Sequence, residues 1–160
     1  MVRVTIIAVG KLKERYLVDG MAEYAKRLRS YCQLSIVEVK DEPFRDGYSQ
    51  AQQDMVKAKE AERILRAIPE RSYVIALDIQ GQMESSEAMA AVIDRLGVEG
   101  WNHIVFIIGG ALGLHASVID GALLRLSFSP LTFPHQLMRL VLLEQLYRWF
   151  TIIRGESYHH

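Results

Sequence analysis

The chain has 160 residues. Against a typical ~100–200 residues per domain, that is room for one domain over residues 1–160, and it excludes a TIM barrel or a two-domain dehydrogenase. Half of the residues are hydrophobic and 24% are charged, with 19 Lys and Arg balancing 19 Asp and Glu. This is the composition of a soluble globular protein, and its net charge names no partner. The longest uncharged apolar run, residues 104–114, falls short of the ~18 residues of a membrane helix. Arg3 and Lys11 interrupt the start before a signal-peptide core develops, so the expected location is cytoplasmic, away from the membrane. Cys32 is the single cysteine. It can form no internal disulfide and no CxxC pair, and reads as a buried structural thiol.

Charge is unevenly distributed. Residues 3–29 hold seven Lys or Arg against three acids, whereas all five histidines and both tryptophans follow Gly100. Any basic surface therefore sits near the N-terminus, where it is either a solvated face or an attraction for phosphates.

In chain order, apolar runs of strand length alternate with stretches of helical period. VRVTIIAV (2–9) reads as a strand buried on both faces, and Leu17, Met21, Tyr24, Ala25 and Leu28 then recur at helical spacing. LSIVEV (34–39) is the second strand. DEPFRDGYSQ (41–50) is the one long loop, and residues 51–68 form a proline-free helix. YVIALDI (73–79) is the third strand. The next helix takes Ser85 or Ser86 as N-cap, carries Glu87 in its first turn and ends before Gly97. HIVFII (103–108) and ALLRLSF (122–128) complete the strands. This alternation predicts an α/β domain with a parallel sheet covered on both faces.

A last helix begins around Pro134 and continues as HQLMRLVLLEQLYRWFTII. Glu144, Gln145, Arg148 and Thr151 share one stripe of it, and most of the remaining circumference is apolar. Such a helix must be covered on more than one side. A second subunit is the natural cover beyond the sheet, and a homodimer is the expectation, with Leu146 and Trp149 at its contact. His135 and Arg139 fall together near the helix N-terminus. Either Arg139 pairs with a buried acid or backbone carbonyls, or the two residues form an anion or substrate site.

Strand 103–108 runs into GGALGLH (109–115), and glycines at the carboxyl end of a parallel strand let a ligand approach the backbone. The segment lacks the G-x-G-x-x-G order, and the chain contains no Walker A, HExxH or GxSxG motif and no carboxylate cluster suited to a metal. Zinc and serine hydrolysis have no support, no metal is expected, and a nucleotide-dependent oxidoreductase lacks its fingerprint.

AVGKLKERY (8–16), LDIQG (77–81), IIGGALGLH (107–115) and the segment from LSFSPLTFPHQLMRL to RGESYHH (126–160) together resemble the ribosomal RNA large-subunit methyltransferase H family along the whole chain. The resemblance implies a SPOUT-class fold with a C-terminal trefoil knot, an exception to the general avoidance of knots. It implies a homodimer that uses S-adenosyl-L-methionine to methylate N3 of a pseudouridine in large-subunit ribosomal RNA on the assembled ribosome. It makes Leu77 and Gly109 cofactor contacts, and makes Phe128, Ser129, Pro130, Leu131, Thr132 and Phe133 the knot loop around the cofactor. These segments lie at carboxyl ends of predicted strands, where α/β sheets bind ligands. The imide proton on N3 must leave, so a base or a cationic donor helps, and His135, Arg139, Arg154, Tyr158 and His159 are the candidates. The family tail places a Lys or Arg after Tyr and His, where this chain has His160; the residue is either native or a tag remnant. No RRM or KH signature is present. A non-catalytic dimeric ribosome-binding factor is the alternative reading.

Overall fold

Five strands, β1 (Arg3–Val9), β2 (Gln33–Val39), β3 (Tyr73–Met83), β4 (His103–Ile108) and β5 (Leu124–Ser127), pair throughout in parallel in the order β2-β1-β4-β3-β5. The computed structural model describes residues 1–159, and His160 lies outside them. The central strands β1 and β4 are buried at nearly every position, which is why their sequences are continuous apolar runs rather than alternating ones.

Period-two alternation sends successive side chains to opposite faces and divides the core. Ile6, Ala8, Phe106 and Ile108 face a large cluster with α1 (Arg15–Leu28), α3 (Ser86–Val98) and α5 (His135–Ile153). Ile7, Val9, Val105 and Ile107 face a smaller cluster with α2 (Gln50–Ala67) and the short α4 (Ala116–Gly121). Helix starts follow their side-chain chemistry. The Ser49 hydroxyl accepts from the Gln52 N–H, while the Gln52 side chain accepts from the Ser49 N–H, a reciprocal capping box for α2. Ser85 caps α3 by accepting from the Ala88 N–H. The sequence reading contained no α4, whose six residues are too few for helical period to register.

The wide apolar surface of α5 is covered mainly inside the chain. α5 packs between α1 and α3 on top of β4. Leu142, Leu143, Leu146, Trp149 and Phe150 are all core residues, with Trp149 stacked on Phe106 at 5.9 Å between ring centroids. The expectation that Leu146 and Trp149 form a subunit contact is thereby corrected: flanking helices, rather than a second subunit, enclose them. Thr151 is likewise buried, its hydroxyl donating to the Arg148 carbonyl, so the polar stripe narrows to Glu144, Gln145 and Arg148.

β3 continues past its pairing with β4 and makes an irregular excursion. Leu126 of β5 is in register with both Leu77 and Gln82, so residues 78–81 bulge out between them. Gly81 is required there, because a Cβ would lie 2.7 Å from the Arg125 carbonyl carbon. The Arg125 guanidinium clamps the bulge by donating through Nε and Nη2 to Asp78 Oδ2. The LDIQG segment is therefore a built corner at the carboxyl end of the sheet.

Candidate active site

Three chain segments meet where β3, β4 and β5 end, and they enclose a cavity of about 660 Å³, within the usual ~300–1,000 Å³ of ligand pockets. Leu77 comes from β3 and Gly109 from the end of β4. Phe128, Ser129, Leu131, Thr132 and Phe133 come from the loop after β5, and His135 from the first turn of α5. Pro130 belongs to the same loop but does not line the cavity. The loop is shaped by its serines: the Ser127 hydroxyl donates to the Ser129 carbonyl, and the Ser129 hydroxyl accepts from the Leu131 N–H.

Gly109 needs its missing side chain for a reason other than ligand approach. A Cβ there would meet the backbone carbon of Gly113 at 2.8 Å, and Gly113 itself sits at φ +88°. The GGALG segment folds back on itself, bridging Gly110 to Gly113. Its glycines thus make the tight turn that forms one wall of the cavity.

Among the described residues, the cavity wall is mainly apolar and carries no Lys or Arg. Its titratable side chains are Asp78 and His135. Burial, then the nearby Arg139 charge, hold the His135 imidazole below its usual range, against the pull of Asp41. At neutral pH it is an uncharged donor and acceptor.

The five residues proposed for catalysis fall in four places. His135 alone of them lines the cavity. Arg139 is 1% exposed and spans from α5 to the strand ends: Nη1 donates to Glu38 Oε2 at 2.7 Å, and Nη2 to the carbonyls of Val9 and Gly10, each at 2.8 Å. The reading that pairs Arg139 with an acid and carbonyls describes its contacts. Arg154 donates to the Ser30 carbonyl and lies over the Tyr31 ring.

Tyr158 and His159 belong to a tail that folds back along α5. The Tyr158 hydroxyl donates to Glu144 Oε2 and pairs with the Tyr24 hydroxyl, and its ring packs edge-on against Tyr147. His159 links Arg148 to Glu87 of α3. Tyr31 anchors the approach to the tail by donating to Glu156 at 2.6 Å, and this hydrogen bond, with burial, pushes its phenol up to about 12. His160, the position of the family's terminal cation, lies outside the described residues.

Beside the first cavity is a second, of about 620 Å³, between the β1 and β2 ends, the 40–44 loop and α2. Gly110, Ala111 and His135 line both. Sequence reasoning missed this cavity and its buried carboxylate, Glu60. The available signal was an acid on the buried stripe of α2, four residues from both Val56 and Ile64. Among the described residues no group of three or more His, Cys, Asp or Glu is placed to hold a metal, and no helix is long and apolar enough to cross a membrane. Burial raises the Cys32 thiol to about 11, as expected for an inert structural residue.

A parallel α/β sheet with a ligand-sized cavity at the carboxyl ends of its strands, walled by glycine turns, is the arrangement in which α/β proteins bind small ligands. The chain belongs to the SPOUT methyltransferase family, whose model, described as "Predicted SPOUT methyltransferase", matches residues 2–159. It is 52% identical over 160 residues to "Ribosomal RNA large subunit methyltransferase H" of Pelotomaculum thermopropionicum, covering all of both chains. It is 54% identical over 156 residues to the protein of the same name from Listeria monocytogenes serovar 1/2a, covering 98% of each. Among solved structures, a probable methylase family protein from Haemophilus influenzae superposes with a TM-score of 0.52 at 11% identity, over 99% of this chain and 70% of that one. That likeness concerns the fold.

Proposed function

We propose that this protein transfers a methyl group from S-adenosyl-L-methionine to large-subunit ribosomal RNA, at N3 of a pseudouridine presented on the assembled ribosome. The observation that carries the reading is the convergence of Leu77, Gly109 and the 128–133 loop on one cavity. These are the positions that the family resemblance makes cofactor contacts. The cofactor's chemistry fits what lines the site. A cationic sulfonium is opposed by no Lys or Arg there, the adenine ring has apolar side chains to lie against, and the two loops offer backbone donors and acceptors to its polar edge.

When bound, the cofactor supplies an already activated methyl group, so the chain's task is positioning and proton removal. The neutral His135 imidazole, on the boundary of both cavities, is placed to accept a proton. Arg139 holds the first turn of α5, and His135 with it, against the ends of β1 and β2. It acts as a positioning residue. Arg154, Tyr158 and His159 stand outside the cavity of their own chain, so their part lies on the RNA side or beside a second copy.

The path of the chain supports a trefoil knot. β5 is the edge strand beyond β3, yet the α5 that follows it packs centrally between α1 and α3. To get there, the 128–134 segment must pass the 78–85 connection. A homodimer is part of the same reading. The substrate places the enzyme in the cytoplasm.

Enzyme is favoured over passive binding factor because a binding factor has no use for a cofactor-sized cavity. Isothermal calorimetry with S-adenosyl-L-methionine tests the reading: one site per chain is expected, lost on filling the cavity by Thr132→Trp. Absence of binding by the wild-type protein overturns it.

A further inference from the structure

The second cavity holds a side chain that the fold does not explain. Glu60 is 5% exposed, and charged carboxylates are rarely buried without a partner. Its Oε2 accepts the Glu42 N–H at 2.9 Å, whereas Oε1 makes no hydrogen bond and the group no ion pair among the described residues. The nearest candidate cation, Arg63, is committed to Glu42 and the Lys40 carbonyl. Burial raises the Glu60 carboxyl above its usual range, as expected for an under-partnered acid.

The unpaired oxygen lies at the junction of the cavities. A Cβ on Gly110, which lines both, would be 3.3 Å from Glu60 Oε1. The bare glycine therefore leaves the carboxylate in contact distance of anything that bridges the two spaces. At the mouth of the second cavity stand Lys11, Lys13 and Lys40, all exposed and in no ion pair among the described residues. Of its other acids, Glu38 is occupied by Arg139 and the Leu12 N–H and Glu42 by Arg63 and Lys59, while Asp41 is exposed and in no ion pair among the described residues. An acceptor at the floor and cations at the rim suit a nucleotide whose base offers an N–H and whose phosphate stays outside.

The geometry points to the second cavity as the seat of the nucleotide to be methylated, with Glu60 Oε1 accepting the N1–H of pseudouridine and Lys11, Lys13 and Lys40 meeting the flanking phosphates. This rests on the function proposed above. Uridine has no N1–H, because its N1 is the glycosidic nitrogen, so with N3 turned toward the first cavity only pseudouridine still has an N–H for this carboxylate. With N1 held at Glu60, the ring can direct N3 across Gly110 toward the first cavity. A site built around a hydrogen-bond acceptor discriminates strongly against an analogue lacking the donor.

The test uses the cofactor-free protein and Glu60→Gln, with amide NMR shifts as the readout and pseudouridine 5′-monophosphate and uridine 5′-monophosphate as probes. The Gln side chain still accepts the Glu42 N–H through its carbonyl oxygen but turns its amide NH2, a donor, toward the base. The wild type is expected to bind the pseudouridine nucleotide roughly ten- to hundredfold more tightly than uridine, with shifts at Gly110 and Ala111, and Glu60→Gln to lose that preference. In methyl transfer to ribosomes, Glu60→Gln should reduce the preference for pseudouridine over uridine at the target to the same extent, while calorimetric affinity for S-adenosyl-L-methionine stays unchanged. Lys11→Ala and Lys40→Ala keep the test open should the Gln variant fold poorly, since each should weaken both nucleotides severalfold without changing their ratio. A preference retained by Glu60→Gln, nucleotide shifts away from Gly110, or no nucleotide binding overturns the inference. Loss of cofactor binding by the wild type would instead overturn the function on which it rests.

Discussion

Arg139 and Glu38, far apart in sequence, share a hydrogen bond of 2.7 Å that joins the first turns of α5 to the end of β2. The same guanidinium caps the carbonyls of Val9 at the end of β1 and of Gly10 just beyond it, and Glu38 Oε2 also accepts the Leu12 N–H. One buried cation thus fixes three elements, and its partners Val9, Gly10 and Glu38 line the second cavity. Arg139→Ala leaves two strand-end carbonyls without their side-chain donor and the Glu38 carboxylate without its cation, and should cost about 2–4 kcal/mol of stability. Glu38→Gln keeps an acceptor and should cost about 1 kcal/mol or less, since Glu38 is itself partly exposed. Urea denaturation of both variants provides the comparison. Equal losses would mean that the ion pair, rather than the strand-end capping, carries the effect.

Gly109→Ala introduces a Cβ at 2.8 Å from the Gly113 backbone, which a folded chain relieves only by moving the turn. The expected result is an S-adenosyl-L-methionine affinity reduced roughly tenfold or more, together with a loss of about 1–3 kcal/mol from overpacking. Native-like circular dichroism should persist because the sheet is untouched. Unchanged affinity would detach this turn from the cofactor site.

The tail offers the opposite separation. Tyr158 and His159 contact Glu144, Tyr24, Arg148 and Glu87, none of which lines the first cavity. Removing residues 158–160 should leave cofactor affinity within about twofold and lower methyl transfer by roughly a hundredfold or more, as expected for groups acting only in the loaded complex. A His160→Lys variant, restoring the family's terminal cation, should match or exceed wild-type turnover. Full activity after truncation would show the tail to be dispensable and leave proton removal to His135.

Acid should weaken the fold through two histidines. His103 is buried with its Nε2 2.7 Å from the Thr5 hydroxyl, and its pKa is lowered by burial and then by Arg3. His135 is lowered by burial and then by Arg139. The unfolded chain titrates near ~6.5 and binds protons before the folded one does. Stability is therefore full above about pH 6.5 and declines as pH falls through the lower folded values. Urea midpoints at pH 5 and pH 7.5 should differ in that direction, and His103→Gln should reduce the difference. A pH difference left unchanged by His103→Gln would contradict the assignment.

Most of the strands and the four longer helices were legible in the sequence because continuous burial leaves a simple mark. HIVFII and VRVTIIAV have no polar alternation since both faces of β4 and β1 are covered. The capping of α3 was readable to within one residue, as Ser85 or Ser86, and the structure selects Ser85. The apolar circumference of α5 was ambiguous, because the periodicity of one helix cannot distinguish flanking helices of the same chain from a second subunit. The Phe128–Phe133 loop became legible as a site only through family resemblance, since its residues are small, apolar or common in turns. Glu60 was missed for a different reason. An acid on a buried stripe looks like a break in the pattern until the chain folds and leaves one oxygen facing a cavity.

Methyl transfer itself is the most direct test of the central claim. Purified enzyme, methyl-labelled S-adenosyl-L-methionine and ribosomes from cells lacking the enzyme are incubated, and the large-subunit RNA is digested and resolved by mass. The account predicts label in a single methylated pseudouridine, abolished by Thr132→Trp in the cofactor cavity and unaffected by Val98→Ser on the exposed end of α3. Cofactor binding with no label in ribosomal RNA, or label on a base other than pseudouridine, would contradict it.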